Sequence, residues 1–194
     1  MSKDYIFAFI GKSGSGKTSL ARMVKEELKM NEIVSFTTRP KRQGEKEGID
    51  YFFINDKEFE SLKENNLLAE ESTYNNWHYG IKKETIESIK GNSVVVVELK
   101  GLRQLIKLYG DRVVPIYIDT NDKNRLKRSL DREDNPDCKE ICRRLIADTE
   151  DFANVLEEFK PNIINNNETK AYSLLKILNL IYKYSPFTHL GDFC

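Results

Sequence analysis

The chain has 194 residues, 39% hydrophobic and 32% charged, and its 31 Lys plus Arg balance 31 Asp plus Glu. That length can bury one sizeable core, and the even charge argues against nucleic acid or a membrane surface as a broad partner. No apolar run approaches the ~20 residues of a membrane span and no signal-peptide pattern opens the chain, so a cytoplasmic location is expected.

The first predicted element is a strand at about 4–10, directly followed by Gly11-Lys12-Ser13-Gly14-Ser15-Gly16-Lys17-Thr18. This run fits G-x-x-x-x-G-K-[ST], a glycine-rich loop joining a buried strand to a helix N-terminus. Its amides, over Gly11, Ser13, Gly14, Ser15 and Gly16, and the dipole of the following helix favour an anion. Lys17 supplies a charge that can follow terminal phosphates, and the Thr18 hydroxyl can ligate Mg²⁺.

A helix from Gly16 to about Lys29 carries Leu20, Val24 and Leu28 at helical spacing, and a strand is expected near 32–36. From Thr37 to about Gly91 the texture changes to short alternating segments, such as Tyr51-Phe52-Phe53-Ile54, with one helix around 56–65. This region reads as a mostly β insertion. The βαβ rhythm resumes with a strand at Ser93–Glu98, a helix near 101–108, a strand at Val113–Asp119 and a helix near 121–131. The charged run Asp131–Asp137 contains Pro136 and predicts a mobile loop. One long helix over roughly 138–159, a strand at Asn162–Asn165, a helix from about 168 to 183 and an irregular tail, Ser185–Cys194, complete the chain. Cys138, Cys142 and Cys194 form neither a disulfide framework nor a metal motif, and read as ordinary thiols.

Between Ser35 and Tyr51 lie Thr37-Thr38-Arg39, Arg42, Gly44-Glu45 and Gly48-Ile49-Asp50-Tyr51. The two guanidinium forks and the phenol suit a phosphate dianion, although a charge run alone usually marks solvated surface. The phosphate loop, then S-x-T-T-R-x-x-R-x-G-E, G-x-D-Y, and Glu70 followed by Tyr79-Gly80, resembles the guanylate kinase family over roughly residues 4–183. The resemblance implies that Arg39, Arg42, Tyr51 and Tyr79 hold the acceptor's phosphate. It also implies that Glu70 accepts hydrogen bonds from guanine N1–H and the exocyclic amine, with Ser35 near O6. Guanine presents two adjacent donors that a carboxylate can accept in parallel, whereas adenine has an acceptor at N1.

Two positions depart from the family pattern. Ile81 stands where a Ser or Thr is usual. Glu98 in Glu98-Leu99-Lys100-Gly101 is a lone acid where two are usual, available to the base, the Mg²⁺ shell or both. Both departures bear on the strictness of guanine selectivity more than on phosphoryl transfer. By the same resemblance Arg132 and Arg144 match the catalytic arginines of a lid, with Arg128 and Arg143 as secondary candidates, and Asn165 matches a residue near the donor adenine. The plainer alternatives are helix-surface pairing, for example Arg144 with Asp148, and a turn role for the Asn run. Trp77 reads as packing, and His78 as structural or exposed.

The expectation is an α/β P-loop NTPase fold: a parallel core sheet with helices on both faces, an inserted β-rich nucleotide-monophosphate-binding module, and a helical lid. In one domain, the core covers about 1–36, 91–130 and 155–184, the module 37–90, the lid 131–154 and the tail 185–194. The resemblance implies Mg²⁺-dependent transfer from ATP to GMP, with dGMP also accepted, and no obligate protein partner is evident. A phosphokinase acting on a sugar phosphate and a non-catalytic interaction module of the same fold remain as alternatives.

Overall fold

The structure is a computed structural model that describes residues 3–42, 44–74, 76–132 and 135–185. In chain order its first elements are β1 (Ile6–Ile10), α1 (Lys17–Leu28), β2 (Asn31–Glu32), β3 (Phe36–Thr37), β4 (Phe52–Phe53), α2 (Asp56–Glu64), β5 (Leu68–Tyr74), β6 (Trp77–Lys82) and α3 (Lys83–Ser88). There follow β7 (Ser93–Val96), α4 (Leu99–Tyr109), β8 (Val113–Asp119), α5 (Asp122–Leu130), α6 (Cys138–Asp151), α7 (Val155–Phe159), β9 (Asn162–Asn165) and α8 (Lys170–Tyr184).

Every residue of β1 is buried. Strand side chains alternate between faces, so such a run is stable only where both faces are covered. Ile6, Ala8 and Ile10 join one cluster with Val95, Leu102 and Leu105, whereas Phe7 and Phe9 join another with Leu20, Val24, Ile116, Ile177 and Ile181. β1 is the middle of a five-stranded sheet, order β2-β7-β1-β8-β9. All its neighbouring pairs are parallel. The carboxyl end of β1 therefore opens at the sheet's centre, where α/β folds place their ligands.

A second sheet of four strands, order β4-β3-β6-β5, is mixed: β3 pairs parallel with β4 and antiparallel with β6, which pairs antiparallel with β5. Gln104 on α4 docks it to the core. Its side-chain amide donates to the Glu71 carbonyl (2.8 Å) and its oxygen accepts from the Glu71 N–H (2.9 Å), so it acts as one residue of an extra strand.

Several elements differ from expectation. The strand expected at 32–36 is two short ones in different sheets, β2 in the core and β3 in the second sheet. The strand expected to reach Glu98 stops at Val96, and Glu98 becomes the extended residue before α4, which starts at Leu99. The single helix expected over 138–159 breaks at Phe152. Phe152 turns inward to stack on Tyr117 (centroids 5.7 Å), and Val155 is buried beside it. α3 was not expected, and the expectation of an irregular tail beyond Ser185 lies outside the described residues, as does Cys194. In the charged run, residues 133 and 134 also lie outside them.

Candidate active site

The loop between β1 and α1 is packed against the rest of the core rather than projecting from it. Gly14 and Gly16 have φ of 75° and 92°, and Gly16 caps α1. At both, an L side chain would be strained, and an added Cβ would fall 2.6 Å from the Arg125 carbonyl at Gly14 and 2.7 Å from Asn166 Nδ2 at Gly16. Ser13 donates its N–H to Asp148 Oδ2 (2.8 Å), and its carbonyl accepts from Arg125 Nε (2.9 Å). Ser15 donates its N–H to the Lys12 carbonyl (3.1 Å). The Ser15 carbonyl accepts from Thr120 Oγ1 (3.1 Å), Arg128 Nη1 (3.2 Å) and Asn166 Nδ2 (2.7 Å). The Ser15 hydroxyl is buried without a hydrogen-bond partner among the described residues. Lys17 and Thr18 open α1, and no hydrogen bond or ion pair holds either side chain among the described residues.

Arg125 is fully buried. Besides Ser13 it bonds Asp122 Oδ1 (2.6 Å) and Asp148, which ties α6 to the loop. Two acceptor-rich partners are what a buried guanidinium requires. The surface pair of Arg144 with Asp148, the plainer alternative to a catalytic role, is replaced by a different pairing on the same helix. Asp148 faces Arg125, and Arg144 Nε instead bonds Glu140 Oε1 (2.8 Å), to which Arg143 also donates. Arg132 is exposed at the end of α5. Among the described residues, Arg128 is the candidate arginine whose side chain reaches the loop, at the Ser15 carbonyl.

The second sheet delivers the acceptor candidates. Thr37 and Thr38 extend the β3–β6 pairing by side chain: Thr37 Oγ1 donates to the His78 carbonyl (2.9 Å), and Thr38 Oγ1 accepts from the His78 N–H (3.0 Å). The Arg39 N–H donates to Thr37 Oγ1 (3.2 Å), which fixes where the guanidinium leaves the sheet. Arg39 is buried, lies 5.5 Å over the Tyr51 ring, and donates to Glu45 Oε1 (2.7 Å) and the Pro40 carbonyl (2.8 Å). Tyr51 and Tyr79 meet edge to face at 5.8 Å. Burial, with Tyr79 next to it, pushes the Tyr51 phenol up to about 12, so it remains a donor. Burial would raise the Glu45 carboxyl, but bonds from Arg39 and the Arg42 amide hold it below the ordinary range. Arg42 is exposed, with its N–H on Glu45 Oε2 (2.8 Å). Asp50 pairs with Arg22 of α1 (2.5 Å), linking the G-x-D-Y segment to the helix behind the phosphate loop.

Glu70 lies on β5 at an irregularity, where the partners step from Leu68↔Lys82 to Glu70↔Ile81. Two residues there oppose one, which re-aims a side chain. Ala69 and Glu70 are consequently both buried, although regular strand neighbours face opposite ways. Glu70 accepts no hydrogen bond from a described residue, and its carboxyl rests against Gly101 of α4. Burial, followed by the charge of Glu98, raises it to about 8, opposed by Lys100. Ile81 is buried opposite Glu70, and Ser35 is half-buried with its carbonyl bonded to the Phe52 N–H (2.9 Å). His78 stacks on Phe59 at 5.1 Å, which gives it a packing role; Trp77 is half-buried on β6.

Asn165 is exposed, and its side chain accepts from the Asn167 N–H (3.2 Å) and Nδ2 (3.1 Å), the turn role open to an Asn run. Its neighbour Asn166 is fully buried and reaches the loop, steadied by Ser173 Oγ (2.9 Å). Thr120, Arg125, Asp148 and Asn166 were not singled out as site residues from the sequence. A charged residue at the core-facing position of α5 was the one available signal, for Arg125.

The family model for guanylate kinase matches residues 3–180. The guanylate kinase of Coxiella burnetii is 32% identical over 186 residues, covering 94% of this chain and 87% of the relative. That of Mycoplasma genitalium is 33% identical over 180 residues, covering 90% of this chain and 75% of the relative. Among solved structures, guanylate kinase from Anaplasma phagocytophilum superposes with a TM-score of 0.70 at 22% identity, over 94% of this chain and 87% of that one. Together with the parallel sheet and its loop, these matches assign the chain to the guanylate kinase family of nucleoside monophosphate kinases.

Proposed function

We propose that the protein transfers the γ-phosphoryl of ATP to GMP, and also to dGMP, giving ADP and GDP or dGDP. The observation that carries the acceptor assignment is Glu70: a buried carboxyl to which none of the described residues donates a hydrogen bond, in the sheet that also presents Arg39, Tyr51 and Tyr79. A base with two parallel donors satisfies it, and guanine has such an edge. In this reading the phosphate of the acceptor lies on Arg39, Arg42, Tyr51 and Tyr79, with Ser35 toward O6 and Glu98 at the head of α4 near the base.

The donor phosphates lie in the loop Gly11–Thr18, with Lys17 following the γ-phosphoryl. Thr18 offers an oxygen unused by the described residues, which suits a hard cation that keeps most of its waters. Bound there, Mg²⁺ would neutralise developing charge on the donor phosphates. The acceptor oxygen is already anionic, so the chain needs no strong base, and its residues act by alignment and charge. Arg132 and Arg144, on the segment 131–154 acting as a lid, close over the transferred group and exclude water. Asn165 is assigned to the donor base.

The test is ADP formation from ATP with GMP, dGMP, AMP, UMP or a ribose bisphosphate as acceptor. Turnover that depends on GMP and dGMP is expected. Its absence with GMP would overturn the proposal, and turnover with the bisphosphate alone would favour a sugar-phosphate kinase.

A further inference from the structure

The bonds around the loop alternate in a way that the chemistry of a planar peptide turns into a prediction. Ser13 and Ser15 have both backbone groups engaged inside the protein, their N–H groups by Asp148 and Lys12 and their carbonyls by side chains from beyond the loop. In a trans peptide the carbonyl and the next residue's N–H point in opposite directions, and no cis peptide occurs among the described residues. Holding the Ser13 carbonyl toward Arg125 therefore turns the Gly14 N–H away from α5. Holding the Ser15 carbonyl toward Thr120, Arg128 and Asn166 turns the Gly16 N–H away from them. Glycine lets the chain make each reversal at positive φ.

We infer that Thr120, Arg125, Arg128 and Asn166 are positioning residues that aim the Gly14 and Gly16 amides at an anion by gripping the loop's carbonyls, without touching that anion themselves. The inference rests on the loop being the donor-phosphate site. Arg128 illustrates the point. Its two terminal nitrogens are used on the Ser15 and Asn166 carbonyls, at 3.2 and 2.8 Å, so its charge faces backbone dipoles. Three donors from β8's end, α5 and the segment after β9 converge on one carbonyl, more than its two lone pairs require for simple satisfaction. Asp148 completes the grip from α6, because it holds both the Ser13 N–H and Arg125.

The experiment compares ADP and GMP affinity by calorimetry, at several salt concentrations, in the wild type, Thr120→Val and Arg128→Gln. Thr120→Val is nearly isosteric and uncharged, and Arg128 is only half-buried, so both variants keep the fold, which thermal unfolding checks. Each is expected to weaken ADP about fivefold, leave GMP within about twofold, and preserve the salt dependence of ADP binding. Loss confined to Arg128→Gln, with a shallower salt dependence, would mean direct contact with phosphate and would overturn the inference. Unchanged ADP affinity in both, or equal loss of ADP and GMP, would overturn it too. A wild type that binds no ADP would remove the donor reading itself.

Discussion

Gly101 lies so close to Glu70 that a methyl group added at position 101 would fall 2.6 Å from a carboxylate oxygen. The glycine is helical, on the first turn of α4, so its value is space rather than backbone freedom. Gly101→Ala is expected to displace the carboxyl and raise KM for GMP on the order of tenfold, the loss of about one charge-assisted hydrogen bond, with KM for ATP little changed. Steady-state kinetics with each substrate varied would check this, and an equal rise for both substrates would count against it.

Glu70 titrates near 8 because burial, then Glu98, disfavours its charge. At neutral pH the free protein is therefore mostly protonated there, whereas the proposed base contact needs the ionised form. GMP binding should release close to one proton at pH 7 and tighten up to about tenfold per unit as pH rises toward 8, then level off. Calorimetry in buffers of different ionisation enthalpy measures this proton, and Glu70→Gln should abolish it while leaving ATP binding intact.

The same group has a consequence for stability, with a definite sign. Its pKa is higher folded than unfolded, so between the ordinary carboxyl range and about 8 the folded state binds more protons. Stability from this group is full at the acid end and falls as pH rises through that window. The unfolding temperature of ligand-free wild type, relative to Glu70→Gln, should therefore decline from pH 5 to pH 8. A difference independent of pH would show that Glu70 is not buried as described.

Arg39 is already held inside the protein, donating to Glu45 and to the Pro40 carbonyl. A lysine carries the charge on a single nitrogen and lacks the planar fork that reaches separated partners at once. Arg39→Lys should raise KM for GMP about ten- to a hundredfold with folding retained, as read by steady-state kinetics alongside circular dichroism.

Phe152 marks the break between α6 and α7, buried against Tyr117. Phe152→Ala should destabilise the protein by about 3–5 kcal/mol in denaturant unfolding, because the helix end cannot collapse into the space left. Phe152→Leu, which refills most of that volume, should recover much of the loss.

Much of this molecule was legible along the chain because it is written in local terms. A continuous apolar run, a glycine-rich turn and a helical period specify β1, the loop and α1 within 25 residues of one another, since strand and helix periods and positive φ are properties of neighbours. The order of Arg39, Arg42, Tyr51, Glu70 and Tyr79 was equally readable, and with it the family. Burial in the tertiary structure decided the rest. The break at Phe152, the irregular pairing that turns Glu70 inward, and the partner of Asp148 depend on what lies across the fold. Asn166 reaches a carbonyl 151 positions away, and Asp148 an amide 135 away. No periodicity carries information over such distances. Sequence marked out the glycine-rich loop proposed to hold a phosphate, and only the packing of α5, α6 and the end of β9 decided which side chains hold that loop.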